Sequence, residues 1–508
     1  MVLTQKMLIK YVTTDNKRLE TCDFYRMKSI LSLILISALL NFSFGQLQEA
    51  INSFSKDSKL EHASISFYAY DLSSKKTISE LNGKASLPTA STAKLYPTAI
   101  ALEMLGKDFR PETKIYVNGR IEKGILHGDL IVRGGGDITL GSRFFNDSGH
   151  EKDFLKQWLD SVRKAGITKI EGNIICDGSD FGYMGIPDGW SWGDQGNYYG
   201  AGVSGISVYD NTLFYQFKTS SRAGDTAHLV NIFPNYPELS FRNQIIGSTK
   251  GGDNSYIYGS PFSNYRFGVG TLPINSSLFQ VKGSHPDPEH QLSLDLYQFL
   301  IENGIQISGA PQSYLKSSLQ PISYEDHEIL FSYSGRTIEE IATITNMKSV
   351  NLFAEGLLCL IGYHFSSKGT TEEGLKQIEL FLESKKISQQ GFYLNDGSGL
   401  SRSNGISARH FCHLLEYMYH SKSYSVFEKT LPIAGKSGTL SSLCSGQIGQ
   451  GRIYAKSGTM NRIKSYSGYV KTKSGKTVAF GFIVNNFSCS SSELTKKMEV
   501  VLNVMAGL

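Results

Sequence analysis

Cysteine is scarce in this chain of 508 residues, and its six copies (Cys22, Cys176, Cys359, Cys412, Cys444, Cys489) are widely spaced with no C-x-x-C. That spacing indicates neither a dense disulfide framework nor a zinc-finger site. Cys359 and Cys412 fall in apolar helical patterns and read as small buried hydrophobes. The 11 histidines contain no H-E-x-x-H pair and show no ligand clustering, so no metal is assigned. The glycine-rich run RGGGD, Arg133 to Asp137, lacks both the Walker and the dinucleotide spacing and reads as a tight turn. With that, no cofactor is expected. No G-x-S-x-G element stands at a strand-to-helix turn, which argues against an ordinary serine esterase.

A large excess of either charge is missing too. The net charge is +5, and Lys6, Lys10, Lys17, Arg18, Arg26 and Lys28 supply much of it before the body begins. A near-neutral body offers no electrostatic argument for nucleic acid as a partner. Long apolar runs are also lacking. The longest, ILSLILISALL (30–40), is short of the roughly 20 residues that a spanning helix needs. Flanked by Arg26 and Lys28 and followed by Ser43 and Gly45, it reads as a secretory signal cleaved near Gly45–Gln46. Export to the periplasm or cell envelope is therefore expected. Residues 1–26 form a polar prelude, and Met27 would be the more natural start.

What is present is a core-forming composition: 40% hydrophobic, 19% charged, with 27 Tyr and 28 Phe. Such a chain folds, and its length suits two or three domains. Its centre of interest is LPTASTAKLYPTAIALEMLG (87–106). There Ser91 and Lys94 open an apolar run in which Leu95, Ala99, Leu102 and Leu105 recur at helical spacing. Residues three apart on a helix are neighbours, so the Ser91 hydroxyl and the Lys94 amine can meet. A lysine whose pKa is lowered toward neutrality can take the proton that makes serine a nucleophile. Pro97, inside the run, should remove a backbone hydrogen bond and kink the helix.

Before this run, 63–82 alternates around a turn and predicts a hairpin. After it, from about 108 to 330, short β-like runs are separated by Gly, Asp and Asn, the texture of β-rich inserted modules. The aromatic and glycine-dense stretch 189–205 is compatible with a sugar-stacking surface and reads first as a packed loop. Helical periodicity returns at 337–365. It brackets Ser349 and Asn351, a Ser-x-Asn element at a break between two helical patterns. The Gly/Ser/Asn-rich stretch 394–411 should shape a cleft edge. Lys-Ser-Gly-Thr occurs twice, at Lys436–Thr439 and at Lys456–Thr459. Only the second leads into two alternating runs joined by a KSGK turn, which predicts an antiparallel hairpin. The ammonium and hydroxyl of such an element suit a carboxylate, and its glycine lets substrate approach the backbone. Lys456 is therefore favoured and the Lys436 copy is taken as a decoy.

Ser91-x-x-Lys94, Ser349-x-Asn351 and Lys456-Ser457-Gly458, in this order, resemble the three motifs of penicillin-recognising serine enzymes. The long chain between Ser91 and Ser349 is similar to that of the class C low-molecular-mass penicillin-binding proteins, the D-alanyl-D-alanine carboxypeptidase/endopeptidase family. LPTASTAKL, GDLIVRGGGDITL, NDGSGLSRSN and LPIAGKSGTL carry the same likeness, which runs from about residue 47 to the C-terminus. Ser457 stands where that family commonly has Thr; the hydroxyl is kept.

The resemblance implies an α/β (α+β) fold with a β-lactamase/transpeptidase-like core, an antiparallel sheet flanked by helices. The catalytic unit would comprise 46–107 plus 331–508, after the 1–45 extension and signal. The 108–330 insertion would hold the β-rich accessory modules, two of them nested. It implies a serine-type peptidase acting on peptidoglycan stem peptides and acylated by β-lactams. Ser91 would attack the penultimate D-Ala carbonyl, with Lys94 as base, its pKa held down by Lys456 and by desolvation. Ser349 would relay a proton, and Asn351 would hold the substrate amide. Lys456, Ser457, Gly458 and Thr459 would bind substrate, and the backbone N–H groups of Ser91 and Thr459 would form the oxyanion hole. The alternatives are a β-lactamase-like hydrolase, against which the long insertion argues, and a non-catalytic peptidoglycan-binding or β-lactam-sensing protein.

Overall fold

A computed structural model describes residues 45–146, 149–182, 185–317, 322–325 and 327–508. The expected signal segment lies outside the described residues up to position 44. Among those described, no helix is long and apolar enough to cross a membrane.

The molecule is organised around a five-stranded antiparallel sheet in the order Ile453–Met460, Ile463–Lys471, Thr477–Asn485, Ser64–Asp71, Lys76–Leu81. Both hairpins expected from alternation are here, so an early and a late stretch of the chain share one sheet. Period-two alternation sorts each strand between two cores. Along Thr477–Asn485, Val478, Phe480, Phe482 and Val484 face one cluster, with Leu47 and Ile51 of the helical segment 45–55 and with helix Ser491–Gly507. Ala479 and Ile483 face the other, with helices Leu95–Met104, Ile338–Lys348, Asn351–Ser366 and Ala408–His420. A Cβ on Gly481 would lie 2.8 Å from Ala408 Cα, so its absence lets that helix start against the sheet. This is the expected α/β core. Cys359 and Cys412 are buried in it as small apolar groups.

Pro97 does not kink the helix. Residues Ala90–Lys94 form a 3-10 turn, and the α-helix proper starts at Leu95. Pro97 therefore falls in the first turn, where a backbone N–H has no intrahelical partner to lose.

Beyond the core, Glu112–Glu122 pairs antiparallel with Ile125–Gly134 and with Glu328–Ser334, in a sheet that also takes in Lys169–Ile170 and Ile174–Asp177. Helices Phe154–Lys164 and Pro288–Glu302 cover it, burying Leu155, Trp158, Leu292 and Leu296. Residues 212–284 add two three-stranded sheets. One is ordered His228–Phe233, Thr212–Lys218, Phe279–Ser284; the other is ordered Ser240–Ser248, Tyr265–Pro273, Asn254–Tyr258. Leu213, Tyr215, Phe217, Ile245 and Ile257 form a separate apolar cluster between them. At RGGGD the strand ends at Gly134 and the chain turns through Gly136 (φ 81°) into Asp137–Leu140.

Candidate active site

Ser91 sits in the 3-10 turn, one residue after Ala90, whose φ of 48° is unusual for a residue with a side chain. Ser349 adopts the same left-handed region (φ 60°, ψ 37°) at the break between Ile338–Lys348 and Asn351–Ser366. A Thr337–Glu340 capping box fixes the start of the first of these helices. Left-handed residues with side chains persist where the surrounding fold over-determines them, and they cluster at functional sites.

Lys94 is fully buried. Its Nζ lies 2.8 Å from Ser91 Oγ, 2.6 Å from Asn351 Oδ1 and 2.7 Å from the Ser398 carbonyl oxygen. The last two atoms are acceptors only. A neutral amine has two N–H donors and one lone pair. With both donors committed to Asn351 and Ser398, the lone pair is left facing the Ser91 hydroxyl. Burial lowers Lys94 to about 7, against the opposing pull of the Asp396 and Glu355 carboxylates. Burial, one of the two causes expected, dominates this shift, and the mutual repulsion of the Lys94 and Lys456 amines lowers Lys456 as well. Burial first, and then Lys94, push the Lys456 amine well below a lysine's usual value. Lys456 is also fully buried, and its Nζ donates to Ser349 Oγ and to the Ser457 carbonyl, each at 2.8 Å.

The strand carrying Lys456, Ser457, Gly458 and Thr459 runs hard against the Ser91 turn. A Cβ on Gly458 would overlap Ser465 Oγ and the Thr89 carbonyl and stand 3.0 Å from Ser91 N. Ser465 Oγ donates to that carbonyl at 2.5 Å and lies 3.1 Å from Thr92 Oγ1, tying the neighbouring strand to the same turn. Thr459, the next residue on the strand, is exposed.

Several residues at the site escape motif reading. Ser398 belongs to the loop expected to shape a cleft edge, and its carbonyl reaches the Lys94 amine. That loop is held from beneath. Glu355 accepts from Gly397 N–H (2.9 Å) and Ser398 N–H (2.7 Å), and burial, with Asp396 adding to it, raises its carboxyl to about 8. Asp396 accepts from Gly399 N–H, Ser401 N–H and Asn404 Nδ2, and from the indole Nε1 of Trp190 at 2.8 Å. The 189–205 stretch thus packs through Trp190 and reaches the site again at Tyr199, whose carbonyl accepts from Asn351 Nδ2 at 2.7 Å.

The other Lys-Ser-Gly-Thr copy, Lys436–Thr439, also reaches the site. Ser457 Oγ donates to Thr439 Oγ1 at 2.8 Å. Lys436 stays outside the site, its side chain beside Gly451. Thr439→Val leaves Ser457 to orient itself alone. The variant is expected to raise KM for a carboxylate-bearing peptide about three- to tenfold with kcat little changed, the worth of one ordinary hydrogen bond. Steady-state kinetics on a pentapeptide check this.

The profile of the D-Ala-D-Ala carboxypeptidase 3 (S13) family matches residues 47–506, and the chain belongs to that family. It is 26% identical over 456 residues to the D-alanyl-D-alanine carboxypeptidase of Actinomadura sp. (strain R39), spanning 87% of this chain and 81% of that one. To D-alanyl-D-alanine carboxypeptidase DacB of Haemophilus influenzae it is 24% identical, over 92% and 95% of the two chains. The crystal structure of penicillin binding protein 4 from Haemophilus influenzae superposes with a TM-score of 0.77 at 22% identity, over 90% of this chain and 99% of that one. The protein is thus a serine peptidase of the D-Ala-D-Ala carboxypeptidase class.

Proposed function

We propose that this protein cleaves the D-Ala-D-Ala end or cross-link of peptidoglycan stem peptides through an acyl-enzyme on Ser91. The observation that carries the reading is the fully buried Lys94, its Nζ held 2.8 Å from Ser91 Oγ and against Asn351 Oδ1 and the Ser398 carbonyl, so that its neutral form has a lone pair free for the serine proton. Ser91 attacks the penultimate D-Ala carbonyl as Lys94 takes its proton. The N–H groups of Ser91 and Thr459 receive the developing oxyanion. Ser349, hydrogen-bonded to Lys456, returns a proton to the leaving D-Ala amine, and water releases the acyl group. Asn351 holds the substrate amide; Lys456, Ser457 and Thr459 face the terminal carboxylate, and Gly458 keeps the strand close.

β-Lactams present the same carbonyl and carboxylate and should acylate the same serine. We assign the catalytic unit to 46–107 and 331–508, with 108–330 inserted. We further propose export to the periplasm or cell envelope with cleavage near Gly45–Gln46. Buried Leu47 supports this, because a later cut would strip the core of that side chain.

Intact mass after incubation with benzylpenicillin tests the whole reading. The expected result is one adduct that maps to Ser91 and is absent in Ser91→Ala, on a chain whose mass begins at Gln46. No adduct with intact penicillin would sink the mechanism and favour a binding protein. No adduct with hydrolysed penicillin would make it a β-lactamase.

A further inference from the structure

A row of aromatic rings leaves the catalytic centre along the outer edge of the 212–284 region. Strand Asn254–Tyr258 is the edge of its three-stranded sheet. Ile257 points inward and is fully buried, so Tyr256 and Tyr258 share the outward face. Tyr256 is 49% exposed. Across from this strand, Trp192 is 57% exposed, its ring 6.0 Å from that of Tyr258. The short helix Trp192–Gln195 packs both on this strand and on the Tyr198–Gly200 turn. There Tyr199 meets Tyr198, itself 44% exposed, with ring centroids 5.5 Å apart.

The row is built rather than incidental. Asn197 Oδ1 accepts from Ile257 N–H at 3.1 Å, and its Nδ2 donates to the Gly193 carbonyl at 2.7 Å. One buried amide thus clamps the edge strand to the loop that carries Trp192. The other end is the Tyr199 carbonyl bound by Asn351, so the row is continuous with the reacting groups.

Monomeric proteins rarely gather large aromatic rings on the surface without an occupant. Flat rings with polar hydroxyl tips suit a ligand that has apolar faces and a polar rim. A pyranose ring has that shape. Peptidoglycan carries its sugars at the far end of the stem peptide, and an extended residue spans at most about 3.3–3.6 Å. A few residues bound in the cleft therefore bring the glycan alongside the accessory region.

We infer that Trp192, Tyr198, Tyr256 and Tyr258 form a stacking platform for the saccharide chain of peptidoglycan, beside the peptide cleft. The inference rests on the peptidoglycan reading proposed above. The platform selects polymer over free peptide and gives the inserted region a role in substrate choice.

The test uses the full chain and soluble glycan strands freed of their stem peptides, followed by calorimetry and tryptophan fluorescence. Saturable binding is expected, weakened about tenfold in Tyr256→Ala and in Tyr258→Ala and restored in Tyr258→Phe; tenfold is the scale of one aromatic contact. Both alanine variants should still take up benzylpenicillin on Ser91, which shows that they are folded. No glycan binding by the wild type would overturn the platform, and so would binding unchanged in both alanine variants. Loss of affinity for sugar-free stem peptide in those variants, with glycan binding intact, would assign the rings to peptide and overturn it equally. The titration needs no catalysis, so a missing penicillin adduct would defeat the functional reading without deciding this one.

Discussion

Replacing Lys94 with methionine lowers the rate of acylation by benzylpenicillin about 10²- to 10⁴-fold, the usual weight of a positioned general base. Methionine is close in length and apolar, so the packing around it survives. What disappears is the lone pair that faces Ser91. The wild-type rate should fall as pH drops through about 7, where the Lys94 amine gains a proton and loses that lone pair. The variant's residual rate should lack this limb. Stability moves with pH in the same direction, over a higher window. Because burial depresses this amine from 10.5 to about 7, the unfolded chain holds a proton between those values that the folded chain has released. Wild-type stability gains from Lys94 as pH rises through that window, and the cost is fully present below it. Lys94→Met abolishes this dependence and should raise the thermal midpoint most at pH 6, even though Asn351 Oδ1 and the Ser398 carbonyl lose a donor. Time-resolved intact mass and thermal scans at pH 6 and 9 read both effects. A variant that acylates at the wild-type rate would remove Lys94 from the mechanism.

The parts of this site that sequence makes legible are those whose geometry is local. Ser91 and Lys94 are close in any helical turn, and Ser349 with Asn351 marks a helix break by composition and periodicity. The partners that tune Lys94 are not local: Asn351 lies 257 residues away and Ser398 304. No periodicity announces that a backbone carbonyl in a glycine-rich loop will accept from the buried Lys94 amine. The same holds for Glu355. Its place among apolar helix residues hides a carboxylate that braces that loop from below.

The two Lys-Ser-Gly-Thr copies show a different limit. The strand pattern after Lys456 points to the copy whose lysine meets Ser349, yet setting the other copy aside discards Thr439, which the fold returns to Ser457. In the insertion, alternation and turn residues draw attention to strands. The pattern Phe154, Leu155, Trp158, Leu159, Val162 has helical spacing and does form a helix. Pro97 misleads for the converse reason: its effect depends on where the α-helix begins, and a 3-10 turn moves that start past Lys94.

Gly458→Ala is expected to cost acylation about 10²- to 10³-fold, as the loss of one oxyanion-hole donor does. The argument is one of space. In the sheet Gly458 stands opposite Ser465. Ser465 cannot swing aside, since its hydroxyl is bonded to the Thr89 carbonyl and adjoins Thr92 Oγ1. A methyl group at 458 meets that side chain, the Thr89 backbone and Ser91 N together, and backbone atoms do not rotate away. The strand must retreat from the turn, which separates the Thr459 N–H from the Ser91 N–H. The two N–H groups proposed to share the oxyanion would lose their effect when either is displaced, because the hydrogen bond weakens steeply with angle. Overpacking should also lower stability by about 1–3 kcal/mol, read from the urea midpoint. Gly251→Ala supplies the comparison: nothing lies within 4 Å of its added carbon, so neither rate nor midpoint should move. If Gly458→Ala acylates as fast as Gly251→Ala, the close approach of the strand to Ser91 is not what activates the carbonyl, and the oxyanion donors must be sought elsewhere.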